Sequence, residues 1–378
     1  MPVESAGRIA RPADPRYPKE AVVSSQILDE AYERLHLTGP EWGGDEEGDN
    51  ALTNHGPMAA EVLVRHGHEL DVPRWVDAYV PRLEELPRPS DRVTDENWRD
   101  ALGNGRRIGD WTAFFGAQVR EGPWREVLAT WWPRLLPGIA AGATHGVIRV
   151  SHAVRALLAG KESPATVTEL AHGLAFWAGR WGALPGTAAP AGGLDAVAAL
   201  EAVPHLAAQR GVIASRIPRL AQLAGWSAAL ASLRPAADDA EVEARLAELV
   251  DAATVRYLAH GHGSPVLLVH TATAPNAVLH TLPALPRELW APSLSAVWSA
   301  SAAIVAMYEP ADAAPREALP AAPEAADPAA ETLERAAAHG DEHVIKFSDT
   351  AAEVHARTGD ADALAAAVHA SQLLEPRG

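Results

Sequence analysis

"GATHGVIRVSHAVR", residues 142–155, decides the fold class. Val147, Ile148, Val150 and Val154 recur at helical spacing. The stretch reads as a buried helix, and it carries two imidazoles. His145 and His152 are seven residues apart, almost two turns, so they share a stripe. Each is either a core histidine with its own partner, or both point at one thing. Their Cα atoms lie roughly 10.5 Å apart along the axis. An ion midway sits about 6.5 Å from each Cα, a wide but workable bite for an extended imidazole and a bond of about 2 Å.

Working outward, the same period dominates. Helical segments are expected over 26–36, 57–67, 72–86, 96–102, 110–119, 123–136, 138–159, 165–180, 193–201 and 242–260. Two more follow at 331–357, broken at Gly340, and near 360–373. Thirty prolines and 29 glycines punctuate the connections. Period-two alternation is scarce. "PVLLVHTAT" at 265–273 and the stretch 212–216 are the only places where a small β element is expected. The fold class is therefore all-α, one large multi-helical domain over 26–378. Residues 1–25 read as an N-terminal arm, and 309–330, rich in Ala, Pro and acid, as a flexible loop.

Composition narrows the function. The 378 residues carry a formal charge of −17, which disfavours nucleic acid and anionic membrane surfaces as partners. With no cysteine, there is no thiolate ligand, disulfide or thiol nucleophile, so any metal must be held by nitrogen and oxygen. The start has no apolar leader run, and a cytoplasmic protein is expected. The uncharged run 289–308 is long enough to span a bilayer, but Ser293, Ser295, Ser299 and Ser301 favour a buried helix. Most of the 12 tryptophans are expected in the core, with some available to line a pocket for a flat ligand.

Several motifs fail. "GNGRRIG" at 103–109 has the wrong glycine spacing for a dinucleotide fingerprint and follows no strand. No Walker loop, G-x-S-x-G elbow or H-E-x-x-H is present. What remains is histidine, 16 in all. His55, His145, His152, His270 and His343 sit in apolar or Gly-rich surroundings. Lys346 follows His343 by three, on the same helical face, flanked by Ile345 and Phe347. A buried lysine loses its proton readily, and a neutral one can add CO2 to become a carbamate, an oxygen ligand. From spacing alone, snorkelling to solvent or a pair with Asp349 or Glu342 explains Lys346 better.

"LTNHGPMAAEVL" (52–63), "LGNGRRIGDWTAFF" (102–115), "WWPRLLPGIAAGATHGVIRVSHAVRAL" (131–157), "ELAHGLAFWAGRWGALPG" (169–186) and "GDEHVIKFSDT" (340–350) together resemble the questin oxidase family. The resemblance runs in order from about residue 50 to 360. It implies a mainly helical fold and an oxidation, ring-opening in fungal members, of an anthraquinone- or polyketide-like aromatic. It also implies a non-haem iron held by histidines and a carboxylated lysine. Carried onto this sequence, the implied ligand set is His55, His145, His152, His343 and Lys346, with Fe(II) and O2 as cofactors. His270 is either a further ligand or an acid–base group. Asp110, Arg149 and Asn54 are candidates for contacts with substrate or ligands, with a buried salt bridge or a cap as the structural alternative. Other readings are an NADPH-dependent monooxygenase without bound metal, a non-enzymatic helical carrier of flat hydrophobic molecules, and a zinc hydrolase.

Overall fold

The computed structural model describes residues 19–41, 53–207, 209 and 211–377. Its core is built by α1 (Lys19–Leu35), α2 (Gly56–Arg65), α3 (Ile108–Glu121), α4 (Trp124–Leu135), α5 (His145–Leu158), α6 (Pro164–Arg180), α7 (Asp239–His260), α8 (Pro265–Thr281), α9 (Trp290–Tyr308), α10 (Pro328–His339), α11 (Glu342–Thr358) and α12 (Ala361–Leu373). The all-α class holds. The predicted arm lies outside the described residues up to 18, and α1 begins at Lys19, ahead of the expected 26.

Helix ends follow the punctuation. Ser163 caps α6 through Thr166 N–H, with Pro164 at the first helical position. Gly340, at φ 77°, ends α10, and Asp341 at once caps α11 by accepting from the His343 and Val344 N–H groups. That break redirects the chain so that His343 enters the core at the start of α11.

Two expectations are corrected. "PVLLVHTAT" is the first half of α8, a helix buried on most sides, where no solvent-facing polar stripe marks the 3.6-residue period. Residues 213–216 form a helical turn. The β structure lies elsewhere: Thr38–Glu41 pairs antiparallel with Leu83–Glu85. Both strands are too short to show alternation. The run at 289–308 becomes α9, buried from Val297 through Tyr308. The segment 309–327 is irregular apart from one 3-10 turn at Arg316–Ala318, and it is tied back by Ala314 N–H to Ala259 O and by Arg316 to Asp362.

The tryptophans pack against each other. Trp111 stacks on Phe115 and Trp131 meets both edge-on within one buried cluster, ring centroids 4.9 to 5.6 Å apart. α5 and α6 approach so closely that a Cβ on Gly146 would lie 2.6 Å from Trp177 Cβ. Glycine is required there, and this contact fixes the start of α5, where His145 stands.

Candidate metal centre

The helix expected over 138–159 is interrupted at its most informative point. Gly142, Ala143 and Thr144 take φ of 58°, 52° and 64°, three left-handed residues in a row, and α5 begins at His145. Left-handed backbone costs roughly 1–2 kcal/mol per non-glycine residue. The turn brings Gly142 O to 2.6 Å from His145 Nδ1. A carbonyl can only accept, so Nδ1 carries the proton and Nε2 is left with a lone pair.

His55 is held in the same way. It sits at the N-terminus of α2, its backbone N–H donating to Tyr79 Oη at 2.6 Å. Its Nδ1 lies 2.9 Å from Glu41 Oε1, on the short sheet, and Tyr79 Oη–H donates to the same oxygen at 2.5 Å. Burial, reinforced by repulsion from Glu342, pushes the Glu41 carboxyl up to about 7. Donation from Nδ1 again leaves Nε2 unprotonated.

These Nε2 atoms converge. That of His55 lies 2.9 Å from that of His145, which lies 3.1 Å from Nε2 of His270 on α8. His343 completes the group from α11, its ring centroid 4.7 Å from that of His55 and 5.6 Å from that of His270. Neither His343 nitrogen has a hydrogen-bond partner; Asp341 and Glu342 stand 3.7 Å from Nδ1. His55, His145 and His343 offer nitrogens within 4.8 Å of one another. Burial, followed for His55 and His145 by the charge of Lys346, drives these two rings well below the ordinary histidine range. Burial does the same to His270, helped by the neighbouring histidines and Lys346.

Lys346 joins them one turn after His343. It is 3% exposed, and its Nζ has no hydrogen-bond partner. Burial lowers it to about 8, against the attraction of Glu342, Glu41 and Asp341. Snorkelling is thereby excluded. The Asp349 partnership is excluded too, because Asp349 pairs with Arg155 at 2.6 Å and His66 at 2.7 Å.

Around the histidines lies an ionic shell that the sequence reading missed. Arg82 bridges Glu41 at 3.2 Å and Glu342 at 3.0 Å, and Arg377 reaches Asp341 at 3.2 Å and Glu342 at 3.0 Å. The acids flanking His343 were visible in "GDEH". Arg82 and Arg377 stand in unremarkable polar segments and carried no signal.

Four expected site residues have other partners. His152 does not share the cluster: its Nδ1 contacts Glu61 at 2.8 Å, and Arg155 holds the same carboxylate. The 10.5 Å stagger along the helix places the two imidazoles against different neighbours. Asp110 accepts from Ser90 and Asp91 N–H groups at 2.6 and 2.9 Å and pairs with Arg107 at 2.5 Å, which makes it a loop anchor. Arg149 pairs with Glu169 in a buried bidentate contact at 2.5 and 2.9 Å. Asn54 donates to Leu35 O and Thr38 Oγ1 and accepts from Gly56 N–H, shaping the chain before α2.

A family model described as questin oxidase-like matches residues 65–176. Over that segment the chain is similar to the questin oxidase-like family. The matched segment contains the left-handed turn, His145 and Gly146, and it ends one residue before Trp177. His55, His270, His343 and Lys346 come from outside that segment, and the fold brings them to His145. The family name is that of an oxidase. No curated protein matches the chain.

Proposed function

We propose that this chain is a non-haem iron oxygenase that oxidises, with ring cleavage, a polycyclic aromatic substrate of anthraquinone or polyketide type. One observation carries the reading. The Nε2 atoms of His55 and His145 face each other at 2.9 Å while the Nδ1 of each donates elsewhere. Two lone pairs at that distance repel, and a bound cation removes the conflict. Four imidazoles with no thiolate suit a first-row transition metal, and a redox role selects iron.

His55, His145, His270 and His343 would hold the ion, and Lys346, as its carbamate, would add an anionic oxygen. When bound, iron supplies the activation of O2 that no side chain here provides. The chain's own residues do the rest. Glu41 and the Gly142 carbonyl fix the tautomers of His55 and His145, the arrangement that orients metal-binding imidazoles. Arg82 and Arg377 balance the carboxylates of Glu41, Asp341 and Glu342. Ile345 and Phe347, the chain neighbours of Lys346, are each 1% exposed or less and anchor α11 in two apolar clusters.

The test is metal content of protein purified without chelator, followed by O2 uptake with hydroxylated anthraquinones as probes. Stoichiometric iron and substrate-dependent O2 uptake support the reading. Turnover of metal-free protein with NADPH replaces it with metal-independent monooxygenation. Binding of the probes without O2 uptake, after anaerobic Fe(II) reconstitution, replaces it with a carrier.

A further inference from the structure

Lys346 also borders a small cavity. This cavity of about 10 Å³, room for a single water, is lined by Ser151, His152, Thr273, Asn276, His280 and Lys346 among others. Three buried polar atoms on its wall have no hydrogen-bond partner: Lys346 Nζ, Thr273 Oγ1 and Asn276 Oδ1. Thr273 is 6%, Asn276 3% and Lys346 3% exposed. Buried polar atoms are rarely left unpaired, and three around one cavity share one explanation.

The Asn276 amide cannot turn to satisfy itself. Its Nδ2 donates to Glu353 Oε2 at 2.9 Å and contacts Thr350 Oγ1 at 3.3 Å, so Oδ1 is fixed as an acceptor. Glu353 also receives His280 Nε2 at 2.9 Å, and His280 is 22% exposed, at the solvent end of the cavity. The wall therefore offers a donor at Lys346, an acceptor at Asn276 and a hydroxyl that serves as either at Thr273.

We propose that this cavity is a water-binding site, in which one molecule joins Lys346 Nζ to Thr273 Oγ1 and Asn276 Oδ1 and so holds the lysine in place. The water accepts from Lys346 and donates to Asn276, and Thr273 completes its coordination. Thr273 and Asn276 are positioning residues that act through Lys346. The site also gives His152 a place: the second imidazole of the α5 stripe lines this chamber. The inference needs no metal and stands if the iron reading fails.

The experiment uses the full chain in metal-free form. Crystal structures of wild type, Thr273→Val and Thr273→Ser are compared, and the labelling rate of Lys346 by an amine-acylating reagent is followed by mass spectrometry. The expected result is wild-type density for one water within hydrogen-bond distance of all three atoms. Thr273→Val loses that density and labels at Lys346 several-fold faster, and Thr273→Ser restores both. A dry wild-type cavity overturns the proposal. So does equal labelling of wild type and Thr273→Val, or a Thr273→Ser protein that behaves like Thr273→Val, since shape rather than the hydroxyl would then matter.

Discussion

His55 Nε2 and His145 Nε2 lie 2.9 Å apart, although each ring has already given its other nitrogen to an acceptor. The contact is repulsive between neutral rings and attractive once a cation lies between them. Substituting His145→Ala removes the central member of the group, the one within 3.1 Å of two other imidazole nitrogens. Metal content measured by mass spectrometry is expected to fall to background, with loss of turnover. A fully active His145→Ala protein that retains metal would sink the site.

Glu41 touches no other member of the cluster than His55, so its effect should be graded. Glu41→Gln keeps the shape but weakens the acceptor for His55 Nδ1. Loss of such outer partners typically costs about 10- to 100-fold in metal affinity. Competition titration against a chelator measures it. An unchanged affinity would mean that His55 is held by its backbone alone.

Arg149 was read first as a candidate near the chemistry and turns out to form a buried pair with Glu169. Removing one partner leaves an uncompensated charge, so Arg149→Met should destabilise by about 3–5 kcal/mol while leaving metal stoichiometry intact. Chemical denaturation and metal analysis on the same sample check both halves. Loss of metal from a folded Arg149→Met protein would return Arg149 to the site.

Acid should unfold the metal-free protein in two stages. Burial holds His55, His145 and His270 well below the ordinary value of about 6.5. The unfolded chain takes up protons there that the folded chain refuses, so stability falls as pH drops below about 6.5. Glu61 and Glu169 follow. Their ion pairs with Arg155 and Arg149, against the opposing effect of burial, lower both carboxyls to about 2. Their contribution is complete above about 4.5 and is lost as pH falls toward about 2. Melting curves from pH 8 to pH 3 test this. A metal-free protein with flat stability between pH 7 and pH 5 would show that the imidazoles protonate in the folded state.

The left-handed Ala143 and Thr144 carry strain that glycine would not feel. Ala143→Gly is expected to raise stability by up to about 1 kcal/mol and to weaken metal binding, because the turn that aims His145 becomes one of several accessible shapes. Stabilisation with unchanged metal affinity would show that α5 alone positions the ring.

Much of this was legible in the residues. The periodic segments around 110–119, 123–136 and 165–180 match helices within a few positions, because amphipathic faces and Pro or Gly ends write the period plainly. α8 was ambiguous since it is buried on most sides and shows no face. The short sheet escaped because three or four residues cannot display alternation. Within the site, His55, His145, His270, His343 and Lys346 stood out as polar groups in apolar surroundings. His152 shared that signature and proved to answer a carboxylate, since helical spacing fixes the direction of a side chain but not which neighbour waits there. Arg82 and Arg377 were invisible, because an arginine that pairs only through tertiary contact resembles any surface arginine.

The route by which the four histidines meet has a consequence for how the chain matures. His55 and His145 are 90 residues apart, and His145 and His270 another 125. An ion gripping all of them closes loops that span most of the polypeptide, and the entropy of each closure is felt only in the unfolded ensemble. A donor set drawn from such distant segments cannot preassemble in a growing chain. An ion held by all four would have to arrive after the last of these helices has docked, and from then on it would tie the N-terminal and C-terminal halves together and raise the resistance of the whole molecule to proteolysis.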